Sequence, residues 1–262
     1  MKITSRDNSL LRHARAVRDS KVDQTIFIEG LRLSEEALRS GLKIDAVIYS
    51  DQIAKKPRAA QLIRELESAA GKTASVSEKL LESISYTKTP QGIVLLAERP
   101  NISETEFVAS QTATPLVVLM HRINNPVNVG AILRAAEAAG ATGVITTAGT
   151  ADPFSAKSLR GAMGSAFRLP IWTGGQLRKI IAWCRSRDLQ IVCADVHAVT
   201  AYTDFDWRKP SALVLGPESA GLTRDEIAMA DGSVRIPMKG ATESLNVAVA
   251  AGIILFEASR QR

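Results

Sequence analysis

The 262-residue sequence holds two cysteines, Cys184 and Cys193, and they form no CxxC pair. That excludes a disulfide framework and gives no sign of a zinc site. The three histidines, His13, His121 and His197, are too scattered for metal-ligand spacing, so no metal is expected. Aromatic residues are few, with six Phe, three Tyr and three Trp, which argues against a large base-stacking platform. No apolar run reaches the roughly 20 residues that span a bilayer. The first residues lack the apolar core of a secretory signal, so a cytoplasmic protein is expected. Several site signatures are missing too. There is no GxxxxGK[ST] phosphate loop and no GxSxG nucleophile elbow. Where a dinucleotide fold would need GxGxxG, the turn before Ala131 supplies only Gly130, so a nicotinamide site fails.

What is present is apolar content of 45% and a formal charge of +6. The first allows a real core, and the length is comfortable for two domains. The second suits a polyanionic partner. The basic excess gathers at the start, where Lys2, Arg6, Arg12, Arg15, Arg18 and Lys21 face only Asp7 and Asp19 across residues 1–21. A solvated helix face would read the same way.

In the first half, periodicity predicts helices over 9–18, 31–40, 58–70 and 77–83, and strands over 25–28, 44–49, 73–76 and 92–97. This alternation predicts a small α/β sandwich. The Ser- and Thr-rich stretch 100–114, bounded by prolines, reads as a linker with helical character in its middle. The second half alternates strands at 115–120, 143–147, 190–194, 212–215 and 234–238 with helices at 131–139, 155–163, 176–187 and 225–230. Such βα winding predicts a mostly parallel sheet. The expected organisation is thus a first domain over 1–98, a linker over 99–114 and a second domain over 115–262. Residues 245–256 carry no charge and are apolar on every side of a helical wheel, which predicts a buried helix.

In parallel sheets, ligands bind beyond the carboxyl ends of strands. Three loops there carry unusual polar residues, over 124–130, 216–221 and 239–246. Arg134 is expected one turn into its helix, pointing back toward the loop mouth. Glu218 lies in the second loop. Ser244 is placed to cap the last helix, and Asn246 then falls two residues inside it, where Asn is a poor helix former. Each of these residues has an ordinary structural reading as a cap, turn or surface residue. Gathered on three strand ends, they make a polar cluster.

Asn125-Pro-Val-Asn-Val-Gly-Ala-Ile-Leu-Arg134, Leu213-Val-Leu-Gly-Pro-Glu-Ser-Ala-Gly-Leu222 and Ile236-Pro-Met-Lys-Gly-Ala-Thr-Glu-Ser-Leu-Asn-Val-Ala-Val249 together resemble the three ordered motifs of the SpoU (TrmH) family. These are S-adenosylmethionine-dependent RNA ribose 2′-O-methyltransferases of the SPOUT superfamily. The first half is similar to the family's RNA-binding domain, a ribosomal-protein-like sandwich. The likeness there rests on Thr4 to Asn8, Phe27-Ile-Glu-Gly-Leu-Arg32 and Thr89-Pro-Gln-Gly-Ile93. One departure is Asn125-Pro126, where many members have Asp-Pro.

The resemblance implies a trefoil knot at the C-terminus, although knots are almost absent from proteins. It also implies a homodimer paired through the catalytic domain. It implies catalytic roles for Asn128, Arg134, Glu218, Ser244 and Asn246, and S-adenosylmethionine held near Gly216, Ile236 and Leu245, with Thr147 and Met238 beside them. RNA, ribosomal or transfer, would be met by Arg6, Arg12, Arg15, Arg18 and Arg32, with salt-sensitive binding. A guanidinium is effectively always protonated, so Arg134 is expected to stabilise a developing alkoxide or to grip a phosphate. The alternative is a non-catalytic RNA-binding or assembly factor on a methyltransferase scaffold. Binding of S-adenosylmethionine discriminates the two.

Overall fold

The computed structural model describes residues 1–100, 102–109 and 114–262. The chain runs β1 (Lys2–Ile3), α1 (Ser9–Arg18), β2 (Thr25–Glu29), α2 (Leu31–Arg39), β3 (Ile44–Ser50), α3 (Pro57–Ala69), β4 (Lys72–Val76), α4 (Glu78–Ile84) and β5 (Ile93–Glu98). It continues through α5 (Glu104–Ala109), β6 (Leu116–Met120), α6 (Pro126–Ala138), β7 (Gly143–Thr147), α7 (Ala156–Ala162), α8 (Ser165–Arg168), β8 (Ile171–Gly175) and α9 (Leu177–Arg185). The last elements are β9 (Gln190–Ala194), β10 (Thr200–Ala201), β11 (Ser211–Leu215), α10 (Arg224–Ile227), β12 (Gly232–Arg235) and α11 (Val247–Gln261). Among the described residues, no helix is long and apolar enough to cross a membrane.

Two compact units result, one of residues 1–100 with 154–168, the other of 101–153 with 169–262. In the first, five strands lie in the order β1-β4-β3-β5-β2. β3 pairs parallel with β4 and antiparallel with β5, which in turn pairs antiparallel with β2. α1 forms because the Asn8 side chain accepts from the Leu10 N–H, satisfying one orphan donor of the first turn. Its Leu10, Leu11, Ala14 and Val17 then share one face, packed on Phe27, Ile48 and Leu96 of the sheet. Between β2 and α2 the chain turns at Gly30, with φ of 103°; a Cβ there would meet the Gln91 side chain at 2.6 Å. Residues 154–168 join this unit through Phe154, which is buried under the Arg99 guanidinium at 4.9 Å. An Arg168–Glu36 ion pair adds to it.

The second unit is a seven-stranded sheet ordered β10-β12-β9-β11-β6-β7-β8, parallel in every pairing. β6 and β11 are buried along their whole lengths, as near-continuous apolar strands covered on both faces should be. The middle of the stretch expected to be a linker does form a helix, α5, and its Phe107 is fully buried. That ring sits 6.2 Å from Trp172 and 5.6 Å from Trp183, so the segment is anchored in this core.

Among the boundaries that differ from the sequence expectation, β12 spans Gly232–Arg235 rather than 234–238, which leaves Ile236 and Met238 beyond the strand, and two helix starts also shift. α6 begins at Pro126, five residues before 131, because Asn125 caps it through the Val127 N–H and proline suits the first helical position. α11 begins at Val247 rather than 245. It also buries only one face, Ala251, Ile254, Leu255 and Ala258, and leaves Val249 and Phe256 exposed. Apolarity all round therefore did not mean burial all round within this chain.

Candidate functional site

In the larger sheet the chain winds outward from β6 through β7 to β8. It then crosses to β9 and returns to place β11 beside β6. Strand order reverses between β6 and β11, and a crevice opens beyond the carboxyl ends of strands at such a point. The loops there are 121–125 after β6, 216–223 after β11, and 236–246 after β12 and ahead of α11.

Asn246 is the N-cap of α11. Its Oδ1 accepts from the Ala248 and Val249 N–H groups at 2.9 and 3.4 Å, so its amide nitrogen must face away from the helix. That nitrogen donates to Oδ1 of Asn128 at 3.1 Å. Asn128 is buried in the first turn of α6. This corrects the sequence expectation twice. Ser244 is not the cap, and Asn246 is not an unexplained polar residue inside the helix. Asn wins because it satisfies two helix donors and still has an amide nitrogen to give to Asn128. Ser244 is exposed two residues upstream on the same loop.

Arg134 lies more than two turns into α6, not one, because the helix starts early. It is exposed and has no ion pair with a described residue. Glu218 is exposed in the turn after β11. Gly216 opens that turn, where a Cβ would meet the Leu222 side chain at 2.7 Å and its backbone nitrogen at 2.9 Å, so the loop closes on itself only with glycine there. No hydrogen bond joins Arg134, Glu218 or Ser244 to one another. Of the five candidate catalytic residues, the structure bonds Asn128 directly to Asn246 and places the other three on α6 and the loops of the same strand ends.

Ile236, Met238 and Leu245 are half-buried along a stretch without regular structure. Among the described residues, no backbone group from 236 to 245 has a hydrogen-bond partner. The loop therefore presents free amides and carbonyls beside apolar side chains. Thr147 differs: it is buried at the end of β7, and its hydroxyl accepts from the Arg122 N–H at 3.2 Å and meets His121 Nδ1 at 3.0 Å.

His121 was not singled out by the sequence. It is 5% exposed at the end of β6, its backbone N–H donates to the Leu215 carbonyl at 2.8 Å, and its Nε2 lies 3.0 Å from Glu226 Oε1. Glu226 closes a capping box with Thr223 at the start of α10. Burial pushes its carboxyl up, but hydrogen bonds from the Thr223 backbone and from His121 outweigh that and hold it below the usual glutamate range. The Thr223-x-x-Glu226 spacing was the legible signal for this cap.

In the first unit, Arg6, Arg12 and Arg32 are exposed. Arg15 donates to the Arg6 carbonyl at 2.9 Å. Arg18 is taken up by Asp19 and by the Ser83 and Ser85 carbonyls. A surface groove of about 630 Å³ on this unit is lined by Lys2, Arg6 and Lys79 with Thr4, Ser77 and Ser83 among its walls.

Comparisons with known proteins match these two regions separately. Residues 11–95 match an MRM3-like substrate binding domain, and residues 115–256 match the SpoU rRNA Methylase family. A 23S rRNA (uridine(2479)-2′-O)-methyltransferase of Streptomyces viridochromogenes is 31% identical over 90% of this chain and 83% of that protein. A 23S rRNA (guanosine(2553)-2′-O)-methyltransferase of Bacillus subtilis is 29% identical over 88% of this chain and 87% of that protein. Among solved structures, an AdoMet-bound rRNA methyltransferase from Sinorhizobium meliloti superimposes with a TM-score of 0.85 at 32% identity, covering 99% of this chain and 97% of the other. With a family match over 115–256 and a relative of 31% identity along most of its length, this chain belongs to the SpoU rRNA methylase family.

Proposed function

We propose that this protein transfers the methyl group of S-adenosylmethionine to a ribose 2′-hydroxyl of ribosomal RNA. The observation that carries the reading is the Asn246–Asn128 bond at the strand-order reversal of a SpoU-family sheet. It joins the first and third family motifs beyond the carboxyl ends of the strands. The rRNA substrate is supported by the named activities of the relatives, and the cofactor by two AdoMet-bound structural neighbours. Ribosomal RNA as substrate also argues for a cytoplasmic site of action.

The loop from Ile236 to Leu245 fits the cofactor's adenosine, which needs apolar faces for the base and hydrogen-bonding backbone at its edge. Ile236, Met238 and Leu245 would line the base, and the turn at Gly216 would approach the ribose closely. Thr147, with its hydroxyl engaged inside the protein, would support the site from behind. S-adenosylmethionine, when bound, supplies a sulfonium methyl whose leaving group is a neutral thioether, so no metal is required. What remains for the protein is alignment and help with a weakly acidic hydroxyl. A guanidinium is a poor proton acceptor, so Arg134 acts as a cation that stabilises the developing alkoxide or grips the neighbouring phosphate. Glu218, Ser244, Asn128 and Asn246 orient Arg134, ribose and cofactor. Arg6, Arg12 and Arg32 contact RNA phosphates, with Arg15 and Arg18 holding the unit that presents them.

The exposed apolar residues Val127, Val249 and Phe256 of α6 and α11 support pairing of two copies through this face. The family also supports a knotted path for the segment that ends in α11.

The test is methyl transfer from labelled S-adenosylmethionine to ribosomal RNA by Arg134→Ala and Arg134→Lys. Arg134→Ala, which removes the charge, should lower the rate on the order of 100-fold or more, and Arg134→Lys, which keeps the charge but not the planar fork, should lower it less, with cofactor affinity retained in both. Near wild-type transfer by Arg134→Ala removes Arg134 from the mechanism, and no transfer by the wild-type protein on any ribosomal RNA removes the reaction.

A further inference from the structure

The turn after β11 has few ties of its own. Within 216–222, the Gly221 N–H donates to the Pro217 carbonyl and Gly216 packs against Leu222. The segment is fixed at its far end by α10, a helix of four residues too short to hold a position alone. Leu222, Met229 and Ala230 pack on the core at its two ends, Arg185 donates to the Met229 carbonyl, and on α10 itself Glu226 reaches His121.

We infer that His121 is a positioning residue for cofactor binding, setting the geometry of the 216–226 segment through Glu226. The inference rests on the functional reading above. From the end of β6, His121 touches the ends of β11 and β7 and the helix α10. Its backbone N–H reaches Leu215, the residue before Gly216, at 2.8 Å. Its Nδ1 meets Thr147 Oγ1 and its Nε2 meets Glu226 Oε1, each at 3.0 Å. An ionised Glu226 only accepts, so Nε2 carries a hydrogen and donates. Thr147 Oγ1, which also accepts from the Arg122 N–H, completes the imidazole's other side. The other titratable groups facing Glu226 are the Arg122 guanidinium, at 3.9 Å and more than half exposed, and the neutral Cys193 thiol on β9, whose ionisation Glu226 opposes. Neither can replace the imidazole: Arg122 is beyond hydrogen-bond reach, and the thiol is a weak donor.

A merely structural histidine would lower stability without preference for any step. A positioning residue separates the steps. His121→Phe keeps ring volume and removes both side-chain bonds. With wild-type protein as reference, it should raise the Kd and KM for S-adenosylmethionine roughly ten- to a hundred-fold, the range for a buried bond to a charged group. Turnover at saturating cofactor should fall several-fold less than the affinity, through Glu218 on the same segment, and KM for RNA should stay within about two-fold. Glu226→Gln keeps an oxygen for the Thr223 N–H, and its amide can donate to Nε2 once the imidazole hydrogen moves to Nδ1 and is given to Thr147 Oγ1, so it should recover part of the affinity that Glu226→Ala loses. Amide hydrogen exchange of residues 216–226 in the cofactor-free protein should quicken in His121→Phe and Glu226→Ala. Unchanged exchange in those amides, or equal losses in turnover and in cofactor affinity, overturns the inference. Should the wild-type protein not bind S-adenosylmethionine while the exchange still responds, it is the functional reading that fails and the tether that stands.

Discussion

Asn246 Nδ2 donates to Asn128 Oδ1 over 3.1 Å, joining residues 118 positions apart in the chain. One side chain thus caps α11 and locks it to the first turn of α6. Asn246→Ala should lower stability by about 1–2 kcal/mol, the range for a lost N-cap, measured by urea unfolding. Asn246→Asp should cost less, because its carboxylate still accepts from Ala248 and Val249.

Glu226 gives the fold a pH dependence with a defined sign. Its folded carboxyl is held below the usual glutamate range. The stability it adds is therefore complete above the unfolded value and is lost as pH falls through the folded one. The stability difference between the wild-type protein and Glu226→Gln should be greatest near neutral pH and should shrink from about pH 5 to about pH 3. Urea unfolding across that range checks it; a difference that grows on acidification contradicts it.

Cys184 and Cys193 are buried, and burial pushes both thiols up to about 12. Neither is a thiolate at pH 8, so iodoacetamide should leave the native protein unmodified and label both after unfolding in guanidinium. Mass spectrometry reads the result directly.

Two arginines on α1 should separate into different phenotypes. Arg18 serves the carbonyls of Ser83 and Ser85. Arg18→Ala should cost about 1–3 kcal/mol of stability with little change in RNA affinity. Arg12 is exposed. Arg12→Ala should leave stability within about 0.5 kcal/mol, weaken ribosomal RNA binding and reduce its salt slope by about one.

Phe256 is 54% exposed on α11. In Phe256→Glu, pairing through that face should be lost and the protein should sediment as one copy. If the wild-type protein is already a single copy in ultracentrifugation, the proposed pairing is wrong.

Local structure was well legible. The helix over 9–18 was legible from its periodicity and basic residues, and α1 occupies that span. The parallel sheet followed from alternating apolar runs and helical segments. Reading failed at the start of α6, where a proline and a capping Asn125 looked like loop. It failed again at α11, where Ser244 looked like the cap because Ser is a good one and the bond from Asn246 to Asn128 cannot be seen from 118 residues away.

His121 shows the same limit. Its neighbours in sequence are Met120 and Arg122, while its side-chain partners are Thr147 and Glu226. Periodicity, turn chemistry and capping preference act over a few residues, and by themselves they determined most of the elements, their order and the parallel sheet, but not β1, β8, β10 or α8. The three motifs, matched as whole segments, also determined the family. That Asn246 rather than Ser244 caps α11, how deep Arg134 lies in α6, and that a histidine meets Thr147 and Glu226 were decided only when the strands were stacked in their non-sequential order. Stacking brings together groups whose sequence separation carries no local signal.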